Sequence, residues 1–248
     1  MRDSIDSTRL GTNRTGMQMA PQQAKEMLDN TELDVEGADI DTNGQGIAEM
    51  RADYIREADP LGSVPPPGTM KGAVKSGIKM MKGRRPQAFI DKLGERLAYE
   101  RGGTRLYDAA IVKFTTFASE LPDVDVAELV QIREQEAEHA LMLIECIEQL
   151  GADPTAQTPC ADLVGVQTMG FLQAVADPRT DLAQTLNVLL SAELVDEAGW
   201  EILIALAESM GQSSMAARFR EAEQQEQEHV FKVRGWYEAV TIEAGKLV

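Results

Sequence analysis

The chain contains two histidines, and each follows a glutamate by three positions: His139 follows Glu136, and His229 follows Glu226. Residues three positions apart lie on the same side of an α-helix, so each pair would present a carboxylate and an imidazole together. Both groups are ligands of transition metals. One such pair is weak evidence because exposed pairs at this spacing are common, but its repetition predicts a metal site.

Each Glu-x-x-His pair interrupts an apolar helical stripe with steps of three and four residues. Two further stripes carry one glutamate each, Glu100 and Glu193, and each of these is followed seven residues later by an aromatic residue. The stripe residues around the four sites include Leu93, Leu97, Leu129, Ile132, Leu143, Leu186, Leu190, Phe219, Ala222 and Val233. The four glutamates and both histidines are therefore expected to face one core.

The order Glu, then Glu-x-x-His, occurs once in residues 100–139 and again in residues 193–229, which indicates an internal duplication. An ionised carboxylate in a core costs several kcal/mol unless it is paired. Four carboxylates facing each other thus require positive charge between them. Two divalent metal ions would balance that charge, with neutral imidazoles completing the coordination.

Four long periodic segments could position these residues, and stop signals rich in Gly, Pro and Asp separate them. They span about 86–119, 125–150, 181–209 and 213–243. The stretch 151–180 is too long for a hairpin loop and carries an apolar run from Leu163 to Val175. It predicts one long crossover between the second and third helices of an all-α bundle.

Residues 1–85 are rich in Gly, Pro, Asn and Asp and predict an irregular extension with short helices near 21–29 and 46–58. The bundle would occupy residues 86–248. The end of the extension is basic, which predicts docking on the acidic bundle or on a sister subunit; an anionic ligand or partner is the alternative. The basic residues are Lys71, Lys75, Lys79, Lys82, Arg84 and Arg85.

The formal net charge is −17, and nearly all of it belongs to residues 86–248, which argues against nucleic acid as a partner. Cys146 and Cys160 have no framework spacing, which is typical of a reducing compartment. No apolar leader segment and no run long enough to span a membrane is present in the sequence. We therefore expect a cytoplasmic homo-oligomer that binds no membrane.

Residues 86–248 resemble the ferritin-like di-iron carboxylate superfamily, which includes ferritins, bacterioferritins, rubrerythrins and oxygen-activating oxidases. The resemblance implies a four-helix bundle holding two iron ions, with manganese or a mixed iron and manganese pair as alternatives. It also implies a role for each residue: Glu136 and Glu226 would bridge the metals, Glu100 and Glu193 would be terminal carboxylates, and His139 and His229 would each complete one coordination sphere.

Two acids near Glu193 need separate treatment because they lie on its side of the helix. Rubrerythrin-like proteins carry an extra carboxylate three residues beyond the matching glutamate. The resemblance therefore makes Asp196 a candidate seventh ligand, or a hydrogen-bond partner of a ligand. Glu197 is a candidate for the same roles.

Gly102 and Gly103 stand beside Glu100 in the middle of a helix, where each glycine costs about 1 kcal/mol relative to Ala. They provide either close helix packing or space for dioxygen, peroxide or a substrate. Thr104 and Tyr107 continue the same face toward this space.

A pair of ferrous ions can deliver electrons together, so we expect an oxidoreductase that reacts with O2 or peroxide and with a small-molecule substrate. The sequence has no rubredoxin-like pair of CxxC motifs, so electrons would come from an external donor. The alternatives are ferritin-type iron oxidation and storage, and a non-catalytic structural or interaction protein that is stabilised by metal.

Overall fold

The computed structural model describes residues 45–65, 86–117 and 124–246, and these form helices without a β-strand. The prediction of an all-α protein is confirmed. The chain divides into two units, Met1–Ala58 and Asp59–Val248. In the first unit the described helix is α1, Gln45–Glu57, which coincides with the predicted short helix at 46–58.

Five helices are described in the second unit. They are α2 (Pro86–Thr116), α3 (Val126–Gln149), α4 (Pro159–Ala176), α5 (Leu182–Ser209) and α6 (Ser213–Ala244). The four long predicted helices match α2, α3, α5 and α6. None of the described helices is long and apolar enough to cross a membrane.

Local sequence fixes where these helices begin and end. The Asp125 side chain caps α3 by accepting from the Ala127 amide at 2.8 Å, and Asp181 forms a reciprocal capping box at the start of α5. Gly151 and Gly211 end α3 and α5 with φ of 81° and 69°. Glycine adopts this left-handed conformation without the penalty that a Cβ would impose.

The core consists of two apolar clusters at opposite ends of the bundle. The first combines Phe89 and Leu93 of α2 with the ends of α3 and α5 and the start of α6, and includes Trp200. The second combines the later part of α2 with the starts of α3 and α5, and includes Leu186. Helix α3 thus ends in the first cluster, whereas α5 begins in the second.

The connection between α3 and α5 must therefore return the chain along the bundle, and α4 does this. Thr158, which caps α4, lies beside Gly94 near the first cluster, whereas Val175 near its end belongs to the second. Helix α4 packs against α2 and α5. The predicted crossover is thus the helix α4, which packs on the outer side of the bundle of four long helices.

Several predictions fall on residues that the structure does not describe. The helical pattern at 21–29 and the docking of the basic stretch 71–85 lie outside the described ranges. Residues 118 and 119, at the predicted end of the first long helix, also lie outside the described ranges. The described helix α2 ends at Thr116. The domain boundary at residue 85 stays a prediction.

Candidate metal centre

A layer of buried polar side chains lies between the two apolar clusters, and all six predicted metal ligands belong to it. Helices α2 and α5 each contribute one glutamate, and α3 and α6 each contribute a glutamate and a histidine. No residue in this set is more than 4% exposed. The six residues are Glu100, Glu136, His139, Glu193, Glu226 and His229.

The ligand atoms of these residues form two overlapping groups that contain a histidine, in each of which they lie within 4.8 Å of one another, and a third group joins Glu100, Glu136 and Glu226 to Asp196. We call the group of Glu100, His139 and Glu226 position 1. Position 2 is the group of Glu136, Glu193, Glu226 and His229, and the two positions thus share Glu226. Such a buried cluster is compatible with a dinuclear metal site.

Glu226 places one carboxylate oxygen beside each histidine. Its Oε1 lies 2.8 Å from Nδ1 of His139, and its Oε2 lies 3.0 Å from Nδ1 of His229. The terminal glutamates approach the same nitrogens, with Glu100 Oε2 at 3.4 Å from His139 and Glu193 Oε2 at 3.5 Å from His229. Both imidazoles therefore direct Nδ1 into the layer.

The outer nitrogen of each histidine contacts a glutamine of the opposite half of the bundle. Nε2 of His139 lies 2.7 Å from the carboxamide oxygen of Gln225, and Nε2 of His229 lies 2.9 Å from that of Gln135. A carbonyl oxygen accepts a hydrogen bond, so each Nε2 carries the proton and donates it. This arrangement leaves the Nδ1 lone pair as the metal-binding atom.

Metal ions fit this layer because many of its polar atoms have no hydrogen-bond partner. Such unpaired buried atoms include Glu100 Oε2, both oxygens of Glu136, His139 Nδ1, Glu193 Oε2 and Glu226 Oε1. Nδ1 of His139 and Oε1 of Glu226 lie close together, but without the angles of a hydrogen bond. Buried oxygens and nitrogens are rarely left unpaired in proteins, and here they converge on one volume.

The pKa values reflect this concentration of negative charge. Burial opposes protonation of the histidines, but contacts with Glu100 and Glu226 raise the pKa of His139 to about 11, and contacts with Glu193 and Glu226 raise that of His229 to about 9. Burial and neighbouring carboxylates raise the pKa of Glu136 well above its ordinary value. Burial would also raise the pKa of Glu226, but both histidines outweigh it and lower that pKa to about 2. In the absence of metal, protons thus supply the positive charge that the layer requires.

Arg96 is a buried residue of this layer that was not among the predicted site residues. It is 2% exposed, and its Nη2 lies 2.8 Å from Glu100 Oε1 and also bonds the Asp196 carboxylate across the bundle. Asp196 is thus the partner of a buried arginine, although its oxygen also lies within 4.8 Å of ligand atoms of Glu100, Glu136 and Glu226. Glu197 is half-buried, and its role as a ligand stays a prediction.

The two glycines beside Glu100 have different neighbours. A Cβ on Gly103 would overlap the carboxylate of Glu136, so the space at Gly103 is occupied by a predicted ligand. A Cβ on Gly102 would lie 3.3 Å from the side chain of Thr168 on α4, which shows close packing of the crossover helix. A role for these positions in the entry of small molecules stays a prediction.

Thr104 and Tyr107 also have defined partners. The Thr104 hydroxyl donates to the backbone carbonyl of Glu100 at 2.9 Å, within the helix. The buried Tyr107 hydroxyl donates to Glu193 Oε1. Burial, together with the negative charge of Glu193, raises the pKa of Tyr107 well above its ordinary value, which keeps this hydroxyl a donor.

A signal for the glutamines was present in the sequence. The pattern Gln-Glu-x-Glu-His occurs at residues 135–139 and again at 225–229. The repeated pattern therefore includes the glutamine before each Glu-x-x-His pair as well as the pair itself. No comparable signal marks Arg96, since its partner Asp196 is 100 positions away.

Comparisons with protein-family models, curated proteins and solved structures found no match to this chain. The geometry therefore carries the interpretation: the protein is a helical bundle with a buried cluster of carboxylates and histidines that could hold a dinuclear metal centre.

Proposed function

We propose that this protein is a ferritin-like dinuclear metal protein that binds two iron ions, or manganese in their place, and acts as an oxidoreductase toward O2 or peroxide. The observation that carries the proposal is the pair of buried histidines, whose Nδ1 atoms face the two oxygens of one carboxylate, Glu226. The order of the helices, with an external helical crossover between α3 and α5, supports the ferritin-like assignment.

The ligand roles follow from which atoms face each other. Glu226 would bridge the two ions, since it has one oxygen in each position. Glu136 would be the second bridge, because its oxygens have no partner and it groups both with Glu193 and with Glu100. Glu100 with His139, and Glu193 with His229, would complete the two ends.

Two adjacent redox-active ions would supply electrons to O2 or peroxide at this site. The protein's part is to fix the geometry and to exclude water. Gln135 and Gln225 hold each imidazole in the tautomer that presents Nδ1. The apolar clusters above and below the layer, which include Leu97 and Leu106, keep bulk solvent out.

The proposed reaction needs two further partners, an electron donor and a substrate. Oxidised metal ions must be reduced again before the next reaction, and an external electron donor would supply the electrons. A small-molecule substrate of the reaction would be a separate partner. Both are proposals on the same footing as the redox activity.

The direct test is anaerobic loading of the metal-free full-length protein with Fe2+, followed by O2 or peroxide. We expect about two ions bound per chain, and their oxidation should be visible as a ferric absorbance band. Glu138→Gln is the matched control, since Glu138 is exposed between Glu136 and His139. Binding of two ions without any reaction would support a structural metal site instead, and uptake far beyond two would support iron storage.

A further inference from the structure

The two metal positions have different neighbours although their ligands repeat. At position 1, the terminal Glu100 is bonded by Arg96, which lies four residues before it on the same helix. At position 2, the terminal Glu193 has Leu189 at the corresponding place, and its hydrogen-bond partner is the hydroxyl of Tyr107. One carboxylate therefore faces a permanent cation and the other a neutral donor.

Arg96 is held rigidly where it is. Its guanidinium lies 4.6 Å from the ring centroid of Tyr99 and 5.5 Å from that of Trp200, and it bonds the carboxylates of Glu100 and Asp196. A Cβ on Gly199 would overlap the guanidinium, so α5 has no side chain where the arginine lies. The surroundings thus fit an arginine: the aromatic rings and carboxylates stabilise its positive charge, and the glycine leaves space for the guanidinium.

The arginine changes what Glu100 can offer to a metal ion. Its bond to Oε1 leaves Oε2, which has no hydrogen-bond partner, as the free donor atom. Arg96 also bonds Asp196, which offsets its charge at longer range. Its guanidinium is nevertheless in direct contact with Glu100 and therefore competes with a metal ion for the negative charge of that carboxylate.

The place of Glu136 differs in the same direction. Its ligand atoms group with those of His229, Glu193 and Glu226 at position 2, whereas none of the described groups joins Glu136 to His139. Near position 1, Glu136 groups instead with Glu100, Asp196 and Glu226, and Arg96 bonds two of these carboxylates. Position 2 thus offers a histidine and three carboxylates without a competing cation.

We propose that Arg96 makes the layer asymmetric, so that position 2 binds the first divalent ion and position 1 binds the second more weakly. Arg96 is thus a positioning residue that acts through Glu100. This inference rests on the proposed dinuclear function. It implies that a half-loaded protein, with one ion in position 2, accumulates when metal is limiting.

The experiment uses Mn2+ alone, added in steps to the metal-free full-length protein, with binding followed by calorimetry and by electron paramagnetic resonance. We expect two separate steps in wild type. One equivalent should give mainly the signal of isolated Mn2+, and a second equivalent should convert it to that of a coupled pair. Glu100→Gln should keep the first step within about twofold, whereas Glu193→Gln should weaken it about tenfold or more.

The Arg96→Gln/Asp196→Asn variant removes the pair without leaving one buried charge behind. It should strengthen the second step about tenfold, because it frees Glu100 Oε1, and bring the two dissociation constants together. Arg105→Gln, at an exposed arginine of the same helix, is the control and should change neither step.

Two equal steps in wild type, or loss of the first step in Glu100→Gln but not in Glu193→Gln, would overturn the inference and leave the dinuclear proposal intact. Saturation of wild type at one ion would overturn both. Because the two ligand variants keep Arg96, the outcome does not depend on whether the double variant folds.

Discussion

The first half of the bundle, α2 and α3, and the second half, α5 and α6, contribute the same ligand types in the same order but surround them differently. In the first half, Arg96 contacts Glu100. In the second half, Leu189 takes the corresponding place before Glu193 and lies buried in the core. The candidate ligands therefore repeat, whereas their neighbouring residues differ between the two halves.

The aromatic residues show the same divergence. Tyr107 lies seven residues after Glu100, and Trp200 lies seven residues after Glu193. Tyr107 donates to Glu193 of the other half, whereas the Trp200 ring lies 5.6 Å from the ring of His139 and beside Arg96. Each half thus supplies an aromatic neighbour to the candidate ligands of the other half.

The largest effect on metal binding is expected at Glu226, whose carboxylate lies beside the histidines of both halves. Glu226→Gln removes the carboxylate that both positions share and should weaken binding of both ions by at least about a hundredfold. It also leaves two buried histidines without their main anion, so the metal-free protein should lose about 3 kcal/mol of stability. Metal titration and denaturant unfolding test both effects. Glu138→Gln should stay within about 0.5 kcal/mol of wild type, and equal behaviour of the two variants would contradict the shared role.

Gly103→Ala tests whether the first half reserves space for the carboxylate of Glu136. The added Cβ would overlap that side chain, so we expect a loss of about 1 to 3 kcal/mol in unfolding free energy and weaker metal binding. Gly170→Ala on α4 is the control. It has open space around it and should gain about 0.5 to 1 kcal/mol from helix propensity. A stabilising effect at Gly103 would show that Glu136 can move aside.

The crossed glutamines predict a reciprocal effect between the halves. Gln225→Leu should weaken metal binding at position 1 about tenfold, because His139 would lose the partner that fixes its tautomer. Gln135→Leu should do the same at position 2 through His229. Mn2+ titration monitored by electron paramagnetic resonance can separate the two steps. Gln227→Leu, at an exposed residue of the same helix, should leave both steps unchanged; an equal effect there would count against the tautomer argument.

The pH dependence of stability compares the two histidines directly, because their contributions should end at different pH values. Both have a folded-state pKa above the ordinary 6.5, so the folded metal-free protein binds more protons than the unfolded chain. The stabilisation is therefore full below about pH 6.5 and is lost as pH rises, first through the pKa of His229 at about 9. The slope is at most about 1.4 kcal/mol per pH unit and per proton.

Thermal unfolding of metal-free protein between pH 6 and 9 tests this prediction. We expect the melting temperature to fall with rising pH, and metal affinity to rise over the same range because metal ions displace these protons. His139→Gln and His229→Gln should each flatten the fall by similar amounts up to about pH 8, and near pH 9 His139→Gln should flatten it more, because His229 loses its own proton there. A melting temperature that rises with pH would contradict the protonated state of the layer.

Sequence alone predicted the four long helices and six residues of the polar layer, since both depend on local periodicity. A Glu-x-x-His pair lies on one side of a helix wherever that helix packs, and Leu129 and Leu143 show that this side is buried. The same helical geometry predicted that Glu138 lies on the solvent-facing side of its helix. Helix ends were also predictable within a few residues, because Asp125, Asp181, Gly151 and Gly211 act on their own neighbours.

Only the tertiary structure decided which residues meet across the bundle. Arg96 bonds Asp196, and His139 contacts Gln225, at separations of 100 and 86 positions. The spacing within a helix fixes the side on which a residue lies, but the rotation and offset between packed helices determine which side chains face one another. The rotation and offset depend on how the whole core packs. The different surroundings of Glu100 and Glu193 therefore depend on that packing as well.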